Sequence, residues 1–149
     1  MKRLAKPALL WALVLMLLTG CSSTEVGFGL PVLDKSDAAS VIAAGGTEPR
    51  RMSGRLALET NGCFTWRSEE GAEERPWIVW PDDARQDGDG VILGSGARIG
   101  DGDSLEVVGA VVALAVLPDG KSSGSYFGSF GPFCRADKTG ALVVTDVER

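Results

Sequence analysis

Gly120-Lys121-Ser122-Ser123-Gly124 has the spacing of a nucleophile elbow, in which a serine is thrust out on a strand-to-helix turn. Such a serine needs a base to take its proton, and the chain contains no histidine. That absence removes the usual general base, the usual nitrogen ligand for a metal, and every Ser-His or Cys-His pair, so the segment reads as a polar loop. Its Gly-Lys-Ser end has the form of a phosphate loop, but the glycine needed at position 115 is alanine. Lys138-Thr139-Gly140 matches one motif of penicillin-binding enzymes, without the Ser-x-x-Lys that would supply a nucleophile. No catalytic residue and no cofactor is assigned.

Carboxylates and rings are what remain. Asp82, Asp83, Asp87, Asp89, Asp101 and Asp103 gather hard oxygen atoms in two loops. Among them Asp87, Asp89, Asp101 and Asp103, at alternate positions, are the candidate calcium ligands. Neither loop follows the EF-hand series to its terminal Glu, and the alternative is a pair of solvated turns that use Asp and Gly for their backbone preferences. A carboxylate pair could also imitate a glycosidase, although a domain near 100 residues leaves little room for a cleft. Tyr126, Phe127, Phe130 and Phe133 punctuate the Gly-rich run from Gly124 to Phe133. Tyr126, Phe127 and Phe130 are the candidate binding residues: exposed, such rings stack on a sugar, a peptidoglycan strand or a partner protein; folded back, they plug one end of the domain. Trp66, Trp77 and Trp80 lie in strand-like runs and are assigned to the core.

The N-terminus carries an address. Lys2, Arg3 and Lys6 precede an unbroken apolar run from Ala8 to Leu18, and small Thr19 and Gly20 follow, which is the order of an export signal. As a helix the run would span about 16 Å, against a hydrocarbon core about 30 Å thick, so it is too short for a permanent membrane span. Leu18-Thr19-Gly20-Cys21 resembles the lipobox of bacterial lipoproteins. The resemblance implies a diacylglyceryl group on the Cys21 thiol, cleavage before Cys21, further acylation of the palmitate type, and a place on the outer, extracytoplasmic face of the cell membrane. Two or more acyl chains hold far more firmly than one. The alternative is an ordinary secreted protein in which Cys21 is incidental.

Loss of residues 1 to 20 removes three basic residues and no acidic one, leaving 12 basic against 20 acidic and taking the formal charge from −5 to −8. Nucleic acid is excluded as a partner on that balance, since phosphate binding depends on clustered Lys and Arg. With Cys21 assigned to lipid, Cys63 and Cys134 are left, and an even pair in an exported protein reads as a disulfide. Closing a loop of about 70 residues would stabilise by roughly 4 kcal/mol on the chain-entropy account. Two free thiols, or a metal site without histidine, are the alternatives.

These residues have to be held by short strands. Positions 21 to 50 read as the lipidated terminus and a flexible spacer with a reach of about 25 to 35 Å. Within it Ser36-Asp37, Ala38 to Ala44 and Gly45-Gly46 could cap, form and stop one short helix, which could instead dock on the domain. From 51 to 149 the texture is that of a small β domain. Gly54–Glu59 and Cys63–Arg67 flank the hairpin turn Asn61-Gly62. Trp77–Trp80 is a buried strand stopped by Pro81; 82 to 90 is a connection, followed by Val91–Leu93. Leu105 to Leu117 reads as one long strand bent or bulged at Gly109, 118 to 132 as a long loop, and Ala141–Val144 as the clearest part of the last strand. About six strands with one long bent member suggest an all-β fold, a small closed or partly open barrel.

Gly62-Cys63, Trp80-Pro81, Gly100-Asp101-Gly102-Asp103-Ser104-Leu105, Gly109 and Cys134, in that order, resemble a group of small secreted or lipid-anchored proteins of high-GC bacteria. The resemblance implies a compact β domain akin to OB-type barrels and transfers no catalytic residue. The function expected is a non-enzymatic, lipid-anchored module that binds an envelope protein or glycan. A structural or accessory lipoprotein is the alternative, and a small hydrolase stands third. An exposed Tyr126 or Phe130 beside a concave face would favour binding; burial of every ring would favour the structural role.

Overall fold

A computed structural model describes residues 29–71 and 73–148; the export segment, Cys21 and positions 22–28 lie outside them. Chain order gives β1 (Val32–Leu33), α1 (Lys35–Ala44), β2 (Arg50–Leu58), β3 (Phe64–Ser68) and β4 (Trp77–Pro81). The short strands β5 (Arg85–Asp87), β6 (Gly90–Ile92) and β7 (Arg98–Ile99) follow, then β8 (Ser104–Val112) and a 3₁₀ turn at Leu114–Val116. Helices α2 (Tyr126–Phe133) and α3 (Ala136–Thr139) lead into β9 (Ala141–Glu148).

The fold is the expected all-β barrel. One sheet runs β1-β4-β3-β2-β8-β9, and a further pairing of β4 with β9 closes five of its strands into a ring. That closing pair is parallel, Trp77 to Val79 against Ala141 to Val143, while the rest of the ring is antiparallel. Closure removes the open edges that would invite other chains to pair. β1 adds in parallel to the end of β4, and β5-β6-β7 form a separate antiparallel sheet.

The apolar runs at Trp77–Trp80 and Ala141–Val144 have a direct cause. Both strands are buried on both faces, the condition that turns an alternating pattern into a continuous one. Ile78, Trp80, Leu142 and Val144 point one way, with Leu56, Trp66, Leu105 and Val107, so all five barrel strands fill one interior cluster. Val91, Leu93 and Ile99 of the small-sheet region join that cluster. Trp77, Val79, Ala141 and Val143 point the other way, into a second cluster that α1, α2 and the 3₁₀ turn cover. The assignment of Trp66, Trp77 and Trp80 to the core holds, with all three at most 3% exposed.

Several expectations need correction. Within the stretch read as a spacer up to residue 50, the short helix is present and takes the second of its two readings, docking on the body through Ala38, Val41 and Ile42, spaced i, i+3, i+4 on one face. Its cap is Asp34, whose side chain accepts from the Asp37 amide at 2.8 Å, rather than Ser36 or Asp37. The run from Leu105 is a strand only to Val112, after which the chain tightens into the 3₁₀ turn. Its register does shift at Gly109, yet the extra residue is Thr145 on β9, whose hydroxyl donates to the Val108 carbonyl at 3.0 Å. Gly109 is what permits the approach, because a Cβ there would stand 2.3 Å from the Val143 carbonyl oxygen. The connection 82 to 90 contains β5, and the loop expected at 118 to 132 ends in α2.

Candidate functional site

Cys63 and Cys134 form a disulfide with their Cα atoms 5.7 Å apart, as the even pair led us to expect. It fastens the start of β3 to the end of α2. Beside it, the Asn61 carboxamide accepts from the Cys63 amide at 3.2 Å and donates to the Phe133 carbonyl at 3.1 Å. The β2–β3 turn and the end of α2 are thus held together by one covalent and one polar link.

A groove of about 680 Å³ lies against this junction. Its lining includes Tyr126 and Phe130 on α2, Thr60 and Asn61 in the β2–β3 turn, and Gln86 and Asp89 around the β5–β6 turn. Gly29 and Pro31 also reach it from the start of the described chain. Helix α2 begins at Ser125, whose side chain accepts from the Gly128 amide at 2.9 Å. Tyr126 stands in that first turn, 37% exposed, with its ring centroid 4.9 Å from Phe130 and 6.5 Å from the roughly parallel ring of Trp77. Its hydroxyl donates to the Gly29 carbonyl at 2.8 Å, and burial pushes its pKa up to about 12.

The three rings proposed for binding therefore separate. Tyr126 and Phe130 line the groove, whereas Phe127, 8% exposed, faces the core edge-on to Trp77 and is a packing residue. A helix carries successive residues about 100° apart, so Tyr126 and Phe127 cannot share a face while Tyr126 and Phe130 can. Reading the segment as a loop concealed this. Sequence reasoning also missed Thr60 and Gln86, and it read Asp89 as a calcium candidate rather than as part of this lining; the three reach the groove from turns far apart in the chain.

The four candidate calcium ligands do not form one site. Asp87 and Asp89 both bind Arg98, at 2.8 and 2.6 Å, and hold its guanidinium above its ordinary pKa. Asp101 accepts from the Leu58 amide and Asp103 from the Gly100 amide, each at 2.9 Å, as turn residues do. Among the described residues no group of three or more Cys, Asp or Glu could hold a metal ion.

Across the disulfide lies a second, more polar hollow of about 450 Å³, lined by Glu59, Thr65, Arg75 and Arg135 among others. The Thr65 hydroxyl donates to Glu59 at 2.8 Å and holds its carboxyl below the ordinary range; Arg75 adds to this, and burial opposes it. A carboxylate so held is an ion-pair partner, poorly suited to donate a proton at neutral pH.

Among the described residues no helix is long and apolar enough to cross a membrane. No known protein family, curated protein or solved structure matches this chain. Any functional reading therefore rests on the groove and on the sequence.

Proposed function

We propose that this chain is a lipid-anchored protein of the cell envelope, held at Cys21 on the extracytoplasmic face of the membrane, whose barrel is a non-enzymatic module for binding an envelope component or partner protein. The observation that carries the binding role is the groove between α2 and the β2–β3 turn, with Tyr126 presented on its wall. Its size falls within the ~300–1,000 Å³ of small-molecule sites. Exposure of Tyr126 beside a concavity, rather than burial of every ring, favours binding over a purely structural role. The absence of histidine supports binding over catalysis, and the order Leu18-Thr19-Gly20-Cys21 supports the anchor.

Two measurements test the two halves. Intact mass of the exported protein should match a chain that begins at a diacylglyceryl-modified Cys21; a lipid-free product beginning at Ser22 or later would overturn the anchor. A photo-crosslinking residue in place of exposed Thr60, activated in intact envelopes, should capture a specific component. Recovery of none would overturn the binding role.

A further inference from the structure

We propose that the groove takes a neutral saccharide, and that it does so close to the membrane surface. The inference deepens the binding role argued above and rests on it. Its first support is the pairing of surfaces. Tyr126 and Phe130 supply an apolar wall, with the Trp77 ring of the same lining roughly parallel to that of Tyr126 at 6.5 Å. A pyranose ring has an apolar C–H face that lies against such a wall, and hydroxyls at its edge that need hydrogen-bonding partners. Thr60, Asn61 and Gln86 add neutral polar groups to the same lining. Asn61 is partly engaged with Cys63 and Phe133, and Gln86 donates one N–H to the Gly88 carbonyl at 3.1 Å, which leaves each carboxamide a second N–H and a lone pair for a ligand.

Charge narrows the class. The described lining contains no Lys or Arg, and the guanidinium beside it, Arg98, is held by Asp87 and Asp89, so a phosphate or carboxylate ligand would have to draw it from two carboxylates. Asp89 is the one carboxylate among the described residues of the lining, and Arg98 already binds it at 2.6 Å. An amine ligand would have to compete with that guanidinium. A neutral ligand bearing hydroxyls meets neither difficulty. A purely apolar ligand, such as an acyl chain, would strip water from the carboxamide of Gln86 and the hydroxyl of Thr60 without replacing it.

Position follows from chain length. Gly29 lines the groove and accepts the Tyr126 hydrogen bond. Eight residue steps separate it from Cys21, which at full extension reach at most about 29 Å. With a lipid on Cys21, the groove stays within that distance of the attachment point. It is thus placed to meet the sugar headgroup of a membrane lipid as well as a glycan strand lying near the bilayer.

The test uses the mature lipidated chain in a detergent without a sugar headgroup, followed by its tryptophan fluorescence. Probes are chitotriose and maltotetraose for free glycans, a short-chain glucosyl diacylglycerol for the lipid-borne source, and the same diacylglycerol without sugar. We expect saturable binding of at least one saccharide, with an affinity that moves less than about twofold between about 50 and 500 mM salt. Tyr126→Ala should weaken it about tenfold, and Gln86→Ala, which leaves the core intact, several-fold. Preference for the glucosyl lipid over both free glycans would identify the membrane source; the reverse would identify a glycan strand.

Equal binding of the sugar-free diacylglycerol, or strong salt dependence, overturns the proposal. So does silence towards every saccharide. If saccharides fail while the crosslinker at Thr60 still captures a protein, the saccharide class falls and the binding role stands. If both fail, both fall.

Discussion

The Tyr126 hydroxyl donates to the Gly29 carbonyl at 2.8 Å, joining two residues of the groove's lining that are 97 positions apart in the chain. Burial raises the phenol from 10.0 to about 12. A folded-state value raised above the unfolded one stabilises fully below the unfolded pKa and is lost as pH climbs through the folded value, here between about pH 10 and 12. Tyr126 is the only tyrosine in the chain, so tyrosinate absorbance reads this group alone. Native protein should titrate near 12 and urea-unfolded protein near 10; coincident curves would refute the buried, bonded phenol. Tyr126→Phe, which keeps the ring, should cost about 1 kcal/mol or less.

A second expectation concerns where the folded body begins. Leu33, Ala38, Val41 and Ile42 belong to the same buried cluster as Val79, Ala110 and Val143. A chain trimmed to start at residue 51 loses all four, and the outer faces of β4 and β9 are then bared to water. One trimmed to start at residue 29 keeps them. Urea unfolding should be cooperative for the longer chain and absent or broad for the shorter. Within the longer chain, Ile42→Ala should cost about 2–5 kcal/mol. Equal stability of the two trimmed chains would show that α1 contributes nothing.

How much of this could be read beforehand depended on whether the signal was local. The turn at Asn61-Gly62 and the double-faced strand at Trp77–Trp80 announce themselves through neighbouring residues, and both are present. The disulfide also followed from counting cysteines. Helix α2 did not, because Tyr126 to Phe133 holds Gly128, Gly131 and Pro132, residues that disfavour a helix by intrinsic preference. Tertiary packing selects those glycines: a Cβ on Gly131 would stand 2.3 Å from Leu114. The groove was legible only in part. Its aromatic wall showed in Tyr126 and Phe130, while its polar side is assembled from turns at Thr60 and Gln86 that no periodicity connects.

Gly128 makes the packing argument testable, because propensity and packing predict opposite signs. In an ordinary helix interior, Gly→Ala gains up to about 1 kcal/mol. Here a Cβ would fall 1.8 Å from the Ser122 carbonyl oxygen, a backbone atom that cannot turn aside. Gly128→Ala should destabilise by about 1–3 kcal/mol. Gly131→Ala, which meets the movable side chain of Leu114, should cost less. Denaturant midpoints of the two variants settle the order, and a stabilised Gly128→Ala would mean that α2 does not pack as described.

The Cys63–Cys134 bridge spans 71 residues and ties the β2–β3 turn to α2. Replacing both cysteines with alanine should cost about 2–4 kcal/mol. The same bridge lines the groove, so saccharide affinity should weaken in the double variant even under conditions where it remains folded. Comparison of unfolding midpoints with and without reductant checks the assignment: wild type should shift and the double variant should not. An unshifted wild type would remove the bridge from the account of stability.

Glu59 supplies the acid-side counterpart to Tyr126. Its carboxyl lies below the ordinary value of 4.5, chiefly because Thr65 donates to it and secondarily because of Arg75, with burial working against both. A depressed folded-state pKa contributes stability above the unfolded value and loses it as pH falls through the folded one. Much of the carboxylate remains solvated, so the effect should be about 1 kcal/mol or less. Wild type should therefore exceed Glu59→Gln in stability at neutral pH, and the gap should close as pH drops below about 4.5. Thr65→Val should narrow the gap at neutral pH, because it removes the donor that Glu59 uses, whereas Thr65→Ser should preserve it. Urea titrations of these variants across the acid range decide the matter, and a gap that is constant with pH would show that the Thr65 bond does not distinguish the charged carboxylate from the neutral one.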